Sequence, residues 1–265
     1  MKLKKVSKSL YDKQYYENDI KTTVSRAMPD ANSIADLILN IHPVHHNDYV
    51  IDFGCGSGSL AFQLHQHFKC KVLGIDYSQD AIDFCNKLDP NNSQLKFLCS
   101  DVEDLPIYED ITHVYMADVV EHLYDNELME LFSRIAKWNT KANLPALIIH
   151  TDNNLFIKYI RPFVDLILLI INKTSITEIR KRNAFERPRH VNLMTPGQLD
   201  KKLRNSGFVR VKINYPEITR ERLASQIPQI GGNLVLSKFL IGIYPLIKFV
   251  APSFYTVYVK SDVHI

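Results

Sequence analysis

Four carboxylates and three glycines carry the densest chemical signal in the chain. Val50 to Gly58 reads VIDFGCGSG, with Gly54, Gly56 and Gly58 spaced GxGxG around Cys55 and with Asp52 two positions ahead of the first glycine. Glycines there let a ligand approach the backbone, because a side chain would block it. A dinucleotide loop is spaced GxGxxG, and its third glycine would fall at Ser59 here. A carboxylate at Asp52 also suits a cationic ligand better than a pyrophosphate. Asp76, 22 residues after Gly54 and followed by Tyr77, is spaced to accept from both hydroxyls of a ribose. Asp101, with Val102 after it, can accept from an adenine amino group. Asp118 and Val119 open a fourth polar stretch, DVVEHL.

Proton transfer is the second chemistry on offer. His122, His150 and His190 are the candidates for a general base, needed only if the acceptor arrives protonated. The alternative for each is a hydrogen-bonded residue with no chemical role. No cluster of acids, histidines or cysteines has metal-ligand spacing and no CxxC pair occurs, so no metal is expected. Cys55, Cys70, Cys85 and Cys99 each fall in or beside an apolar run and read as small buried hydrophobes.

The acids stand at the ends of strand-like runs, which is what positions them. Tyr49–Phe53, Lys71–Ile75, Leu95–Leu98, Thr112–Ala117 and Ala146–His150 are short apolar runs alternating with helical periodicity. That rhythm predicts βαβ units and a parallel sheet. Open sheets of this kind bind ligands at the carboxyl ends of their strands. Farther on, Thr195-Pro196-Gly197-Gln198 predicts a capped helix that stops at Asn205-Ser206-Gly207. Phe208–Ile213 and Thr256–Lys260 alternate like two more strands.

Together VIDFGCGSG, GIDYS, SDVEDLP and VVEHL resemble the class I S-adenosylmethionine-dependent methyltransferases over roughly residues 45 to 152. The EHL triplet, Thr151-Asp152-Asn153 and a later His190 leading to TPGQL resemble the ubiquinone-biosynthesis type most. The resemblance implies an α/β fold: a Rossmann-like, seven-stranded, mostly parallel sheet with helices on both faces and a helical cap inserted after strand five. It implies S-adenosylmethionine as cofactor. Asp52, Gly54, Cys55, Gly56 and Gly58 would surround its methionine part, Asp76 and Tyr77 the ribose, Asp101 and Val102 the adenine. Asp118 and Val119 would line the sulfonium end. Tyr11, Tyr15 and Tyr16 resemble the family's lid, with Tyr16 in contact with the cofactor. The expected layout is a helical lid at 1–45, a cofactor core at 46–152 and a basic helical cap at 153–195. Residues 196–265 would complete the core around an apolar insert at 223–252.

Composition bounds the rest. The 265 residues are 46% hydrophobic and 23% charged, enough for a real core and too ordinary for a fibrous or disordered chain. The net charge of +3 hides a split: 14 Lys/Arg against 21 Asp/Glu up to residue 150, then 18 against 8. The acidic half matches the cofactor core and the basic half the cap. The opening residues MKLKKVSKSLYDKQYY lack the apolar core of a secretory leader, so a cytoplasmic setting is expected. Leu155–Ile171 and Leu234–Val250 are apolar for about 17 residues each, short of the ~20 needed to span a bilayer. Lys158, Arg161 and Asp165 recur at i, i+3 and i+7, which places them on one narrow stripe of a helix. With Arg180, Lys181, Arg182, Arg187 and Arg189 nearby, peripheral contact with a membrane or an anionic carrier is an open alternative to a solvated basic face.

The expected reaction is methyl transfer to a small, apolar or lipid-like acceptor, at oxygen, by in-line displacement. DNA is not an expected partner, because no recognition module is appended. The alternatives are an RNA or protein methyltransferase using the basic half, or a catalytically silent cofactor-binding scaffold.

Overall fold

A computed structural model describes residues 5–11, 41–88, 92–138, 145–170, 174–216, 238, 242, 244 and 248–261. Tyr15, Tyr16 and most of the expected lid and apolar insert lie outside the described residues.

Seven strands form one sheet. They are β1 (Tyr49–Phe53), β2 (Lys71–Asp76), β3 (Leu95–Cys99), β4 (His113–Ala117), β5 (Ala146–Asp152), β6 (Phe208–Asn214) and β7 (Ser253–Lys260). Their order is β3-β2-β1-β4-β5-β7-β6. The first five are parallel, and β7 runs antiparallel to both neighbours. Six helices are described: α1 (Ser59–Phe68), α2 (Gln79–Leu88), α3 (Asp125–Ala136), α4 (Arg161–Ile170), α5 (Ile176–Glu186) and α6 (Pro196–Asn205).

The near-continuous apolar runs of β1, β4 and β5 are those of strands covered on both faces. Alternate residues feed two cores. Ile51, Val114 and Leu147 pack with Leu131 and Phe132 of α3 and with Leu199 and Leu203 of α6. Val50, Tyr115 and Ile148 pack with Ala61 and Leu64 of α1 on the opposite face. The α6 start is the predicted capping box, with the Thr195 side chain accepting from the Gln198 amide and Gln198 reaching back to the Thr195 amide.

The cap after β5 is helical in its described residues: a π-helical turn at Phe156–Ile160 leads into α4, and α5 is opened by a Ser175–Glu178 capping box. Two members of the predicted stripe of charges are ion-paired to α5. Arg161 Nη1 donates to Glu186 Oε2 at 2.5 Å, and Arg182 meets both Asp165 oxygens at 3.0 and 2.5 Å. Lys158 alone of the three is exposed. Arg189 is likewise engaged, donating to the carbonyls of Leu10 at 2.8 Å and Phe185 at 2.7 Å. Arg182 and Arg189 are therefore not free for an anionic partner.

Candidate active site

Strand order reverses between β1 and β4, and the open crevice of a parallel sheet lies at such a point. A cleft of about 370 Å³ sits there, at the carboxyl ends of β1, β2 and β4. Asp52, Gly54, Cys55, Gly56, Asp76, Tyr77, Asp101, Val102, Asp118, Val119 and His122 all line it. Gly58 does not. It caps α1 at φ +79°, where a Cβ would meet Cys85 Sγ at 2.9 Å, so its task is the tight turn into the helix. Gly54 is also left-handed, at φ +74°, and a Cβ there would come within 2.5 Å of Val119 Cγ2. The glycines thus serve the backbone path and its packing against the β4 loop as much as any ligand.

Two acids at the floor differ in how they are satisfied. Asp76 Oδ2 accepts from the Gly56 amide and Oδ1 from the Ser78 amide, both at 2.9 Å. Those contacts tie the Gly-rich turn to the end of β2. Asp52 is 2% exposed and accepts from the Ala61 amide in the first turn of α1. Its Oδ2 is buried with no hydrogen-bond partner among the described residues. Burial, with Asp76 adding repulsion, pushes the Asp52 carboxyl up to about 7. A buried acceptor left open at a cleft wall calls for a donor from a ligand.

Sequence reasoning passed over three residues at this cleft. Lys5 pairs with Asp101 at 3.3 Å and Glu103 at 3.1 Å. Val6 beside it is buried, and both line the cleft with Tyr11. Residues 5–11 of the expected helical lid are thus a short segment with a 3-10 turn at Lys8–Leu10 laid across the cleft, while Ile41 and Val44 at its other end pack into the core. Glu127, on α3, also lines it, and burial pushes its carboxyl to about 7 against the pull of Lys5. None of these stands in a motif; tertiary folding alone brings them in.

The three histidines occupy three different settings. His122 lines the cleft, in the turn Val120–His122 after β4. Its Nδ1 lies 3.0 Å from the Tyr11 hydroxyl and 3.1 Å from the Arg189 carbonyl. A carbonyl only accepts, so that contact places the proton on Nδ1 and leaves the lone pair on Nε2. Burial and the neighbouring His190 lower its pKa to about 4, so the ring is neutral near pH 7. His150 lies behind the cleft on β5, stacked on Tyr255 and 2.8 Å from Asp118 Oδ1. Asp118 holds φ +55°, and its amide donates to the His150 carbonyl. His190 lines a second cleft of about 710 Å³ between α4 and α5, together with Leu166, Leu169, Ile179 and Leu193. Its Nδ1 is 3.5 Å from Asp152 Oδ2.

Behind these groups Glu121 is 1% exposed and accepts from the Thr151 hydroxyl at 2.8 Å, and burial raises its pKa well above the carboxylate range. The Asn192 amide donates to the Glu121 carbonyl, anchoring the segment after the cap. Among the described residues no group of three or more His, Cys, Asp or Glu is arranged to hold a metal ion. Cys55, Cys70 and Cys85 are buried thiols, as expected, and Cys99 is half-buried.

This strand order and this crevice define the class I S-adenosylmethionine-dependent methyltransferase fold. Residues 50–141, about a third of the chain, match the family model described as "Methyltransferase domain". Pavine N-methyltransferase from Thalictrum flavum subsp. glaucum is 28% identical over 117 residues, which are 41% of this chain and 31% of the relative. The chain thus spans about a third of that relative's length. Among solved structures, phosphoethanolamine N-methyltransferase 2 from Haemonchus contortus, in complex with S-adenosyl-L-methionine, aligns with a TM-score of 0.62 at 14% identity. That alignment covers 96% of this chain and 58% of the other. Geranyl diphosphate C-methyltransferase from Streptomyces coelicolor A3(2) aligns with a TM-score of 0.56 at 14% identity, over 98% of this chain and 90% of that one.

Proposed function

We propose that the protein transfers a methyl group from S-adenosylmethionine to the oxygen of a small, apolar or lipid-like acceptor. One observation carries the cofactor half of this reading: Asp52, whose Oδ2 is buried with no hydrogen-bond partner among the described residues, lines the same cleft as Asp76. A ligand that is cationic at one end and carries a ribose diol at the other satisfies both carboxylates. When bound, S-adenosylmethionine supplies an electrophilic methyl group on a sulfonium.

The residues then divide the work. Asp52 holds the ammonium end, the Gly54–Gly56 turn lets the methionine portion lie against the backbone, Asp76 accepts from the ribose and Asp101 from the adenine. Asp118, oriented by His150, lies beside the sulfonium position. Lys5, Val6 and Tyr11 roof the cleft and keep water from the reacting centre, where positioning supplies most of the rate. His122 Nε2, with its lone pair free, takes the proton released by an attacking hydroxyl. Leu166, Leu169, Ile179 and Leu193 in the α4–α5 cleft support an apolar acceptor body, beside the charged Arg161, Asp165, Glu186 and Arg187 of the same lining.

Titration calorimetry with S-adenosylmethionine and its product, alongside an Asp76→Ala variant, tests the cofactor site. Micromolar binding that the variant weakens supports the assignment, and full affinity in the variant removes it. Tritiated-methyl transfer to a lipid extract and to an aqueous extract tests the acceptor class.

A further inference from the structure

A second buried acid in the cofactor cleft has an oxygen to spare. Glu127, in the first turn of α3, is 5% exposed and lines the same cleft as Asp52. Its Oε2 is buried with no hydrogen-bond partner among the described residues. The other carboxyl oxygen has a structural task. Glu127 is the third residue of α3 and accepts from the amide of Tyr124, the residue that caps the helix. Capping needs one oxygen. The second stands at a cleft wall and calls for a donor that enters the cleft.

Packing places Glu127 at one end of that cleft. Helix α3 lies against the 3-10 turn Val102–Asp104 that follows β3, and Leu128, next to Glu127, shares a core with Val102. Burial apart, the charges that bear on the Glu127 carboxyl are Lys5, Asp101 and Glu103. Lys5 in turn pairs with both of those acids. This is the end at which the proposed function puts the base of the cofactor, beside Asp101. The 6-amino group of an adenine carries two N–H donors, and one acceptor satisfies only one of them. Asp101 is already shared with Lys5, whose Nζ is 3.3 Å from its Oδ1. Glu127 Oε2 is an acceptor that nothing else among the described residues uses.

We infer that Glu127 is a specificity residue for the cofactor, accepting from the 6-amino group of its adenine alongside Asp101. The inference rests on the cofactor reading above. Its test pairs a change in the protein with a change in the ligand. S-adenosylhomocysteine, and its analogue with hydrogen in place of the 6-amino group, are titrated calorimetrically into the parent and into Glu127→Gln. The titrations are run at pH 8, where burial no longer keeps the Glu127 carboxyl protonated. The parent should prefer the amino ligand by about tenfold to a hundredfold, the worth of a hydrogen bond to a charged acceptor. Glu127→Gln keeps an oxygen for the Tyr124 amide and turns an N–H toward the cleft. The preference should shrink by about tenfold, through lost affinity for the amino ligand alone. Glu127→Ala gives up the cap as well, and should show the same narrowed preference at a lower melting temperature. A purely structural role would weaken both ligands alike, so a preference left intact in both variants overturns the assignment. So does a parent that binds the two ligands equally. A parent that binds neither removes the cofactor reading itself, and this assignment with it.

Discussion

His122 and His190 touch edge to face, with ring centroids 4.9 Å apart and planes at 73°. One lines the cleft at the β1–β4 switch and the other lines the cleft between α4 and α5, so the two cavities adjoin at this pair of imidazoles. They come from the β4 loop and from the end of the cap, 68 residues apart in sequence. The contact is therefore where the cleft at the β1–β4 switch meets the cleft proposed to take the acceptor.

Replacing His122 tests proton transfer. His122→Phe keeps the ring volume and removes the Nε2 lone pair. With a hydroxyl acceptor, turnover should fall by about a hundredfold or more, while S-adenosylmethionine affinity changes by no more than a few-fold. An unchanged rate would show that the acceptor arrives already deprotonated or that another group takes the proton.

Asp52 ties cofactor affinity to pH. Its carboxyl titrates near 7 in the free protein and must be ionised to meet a cation. Affinity should rise about tenfold per unit as pH climbs from roughly 5.5 toward 7 and then level off. Asp52→Asn should flatten that profile and weaken binding by about tenfold to a hundredfold at pH 7.5. Calorimetry in two buffers of different ionisation enthalpy reads the proton released.

The same substitution should stabilise the ligand-free fold. The folded Asp52 pKa lies above the 3.8 of an unperturbed carboxyl, so the native state binds the extra proton between about pH 4 and 7. Stability from this group is therefore lost as pH rises through that window. Asp52→Asn avoids the loss, and its advantage over the parent should grow from nothing near pH 4 to on the order of a few kcal/mol above pH 7. Urea melts at pH 5 and pH 8 measure the difference. Equal stability at pH 8 would place the carboxyl in water.

Part of this site can be read from residue order and part cannot. The run YVIDF followed by GCGSG marks β1 and its turn without ambiguity, because a short apolar strand and a left-handed loop are local matters. The capping box at Thr195 is local in the same way. Gly58 lines up in the GxGxG spacing, yet the helix geometry behind the turn decides what it does. The polarity of α4 is the larger surprise. Periodicity shows that Arg161 and Asp165 share a stripe, but whether that stripe faces water depends on Glu186 and Arg182, which arrive from the next helix. Lys5 and Glu127 reach the cleft only through the tertiary path of the chain, and no spacing announces them.

Gly54→Ala should cost the fold about 1–3 kcal/mol, from the left-handed backbone and the collision with Val119. Adding Val119→Ala should restore only the part due to collision, since φ +74° strains any residue with a Cβ. A double-mutant cycle by thermal melting separates the two contributions, and full rescue would mean that the backbone is not strained there.

Arg189 ties the segment before Tyr11 to the cap through the Leu10 carbonyl at 2.8 Å. Arg189→Ala should loosen that roof and raise the dissociation rate of S-adenosylmethionine by about tenfold, the worth of a charge-assisted hydrogen bond. Stopped-flow displacement reads this directly, and an unchanged rate would show that the roof does not hold the ligand.

Strand β7 sets a schedule for assembly. It follows every other described element in the chain, yet it sits between β5 and β6, bonded to both. Tyr255 is the register partner of His150 and stacks on it at 4.4 Å. A growing chain can close β1 to β4 around the Gly-rich turn early, while one edge of β5 stays open and His150 has nothing at its back. The carboxylate it orients, Asp118, thus gains its backing only once β7 has been laid down. The Gly-rich floor of the cleft can form before β7 is made; the support behind Asp118 waits for it.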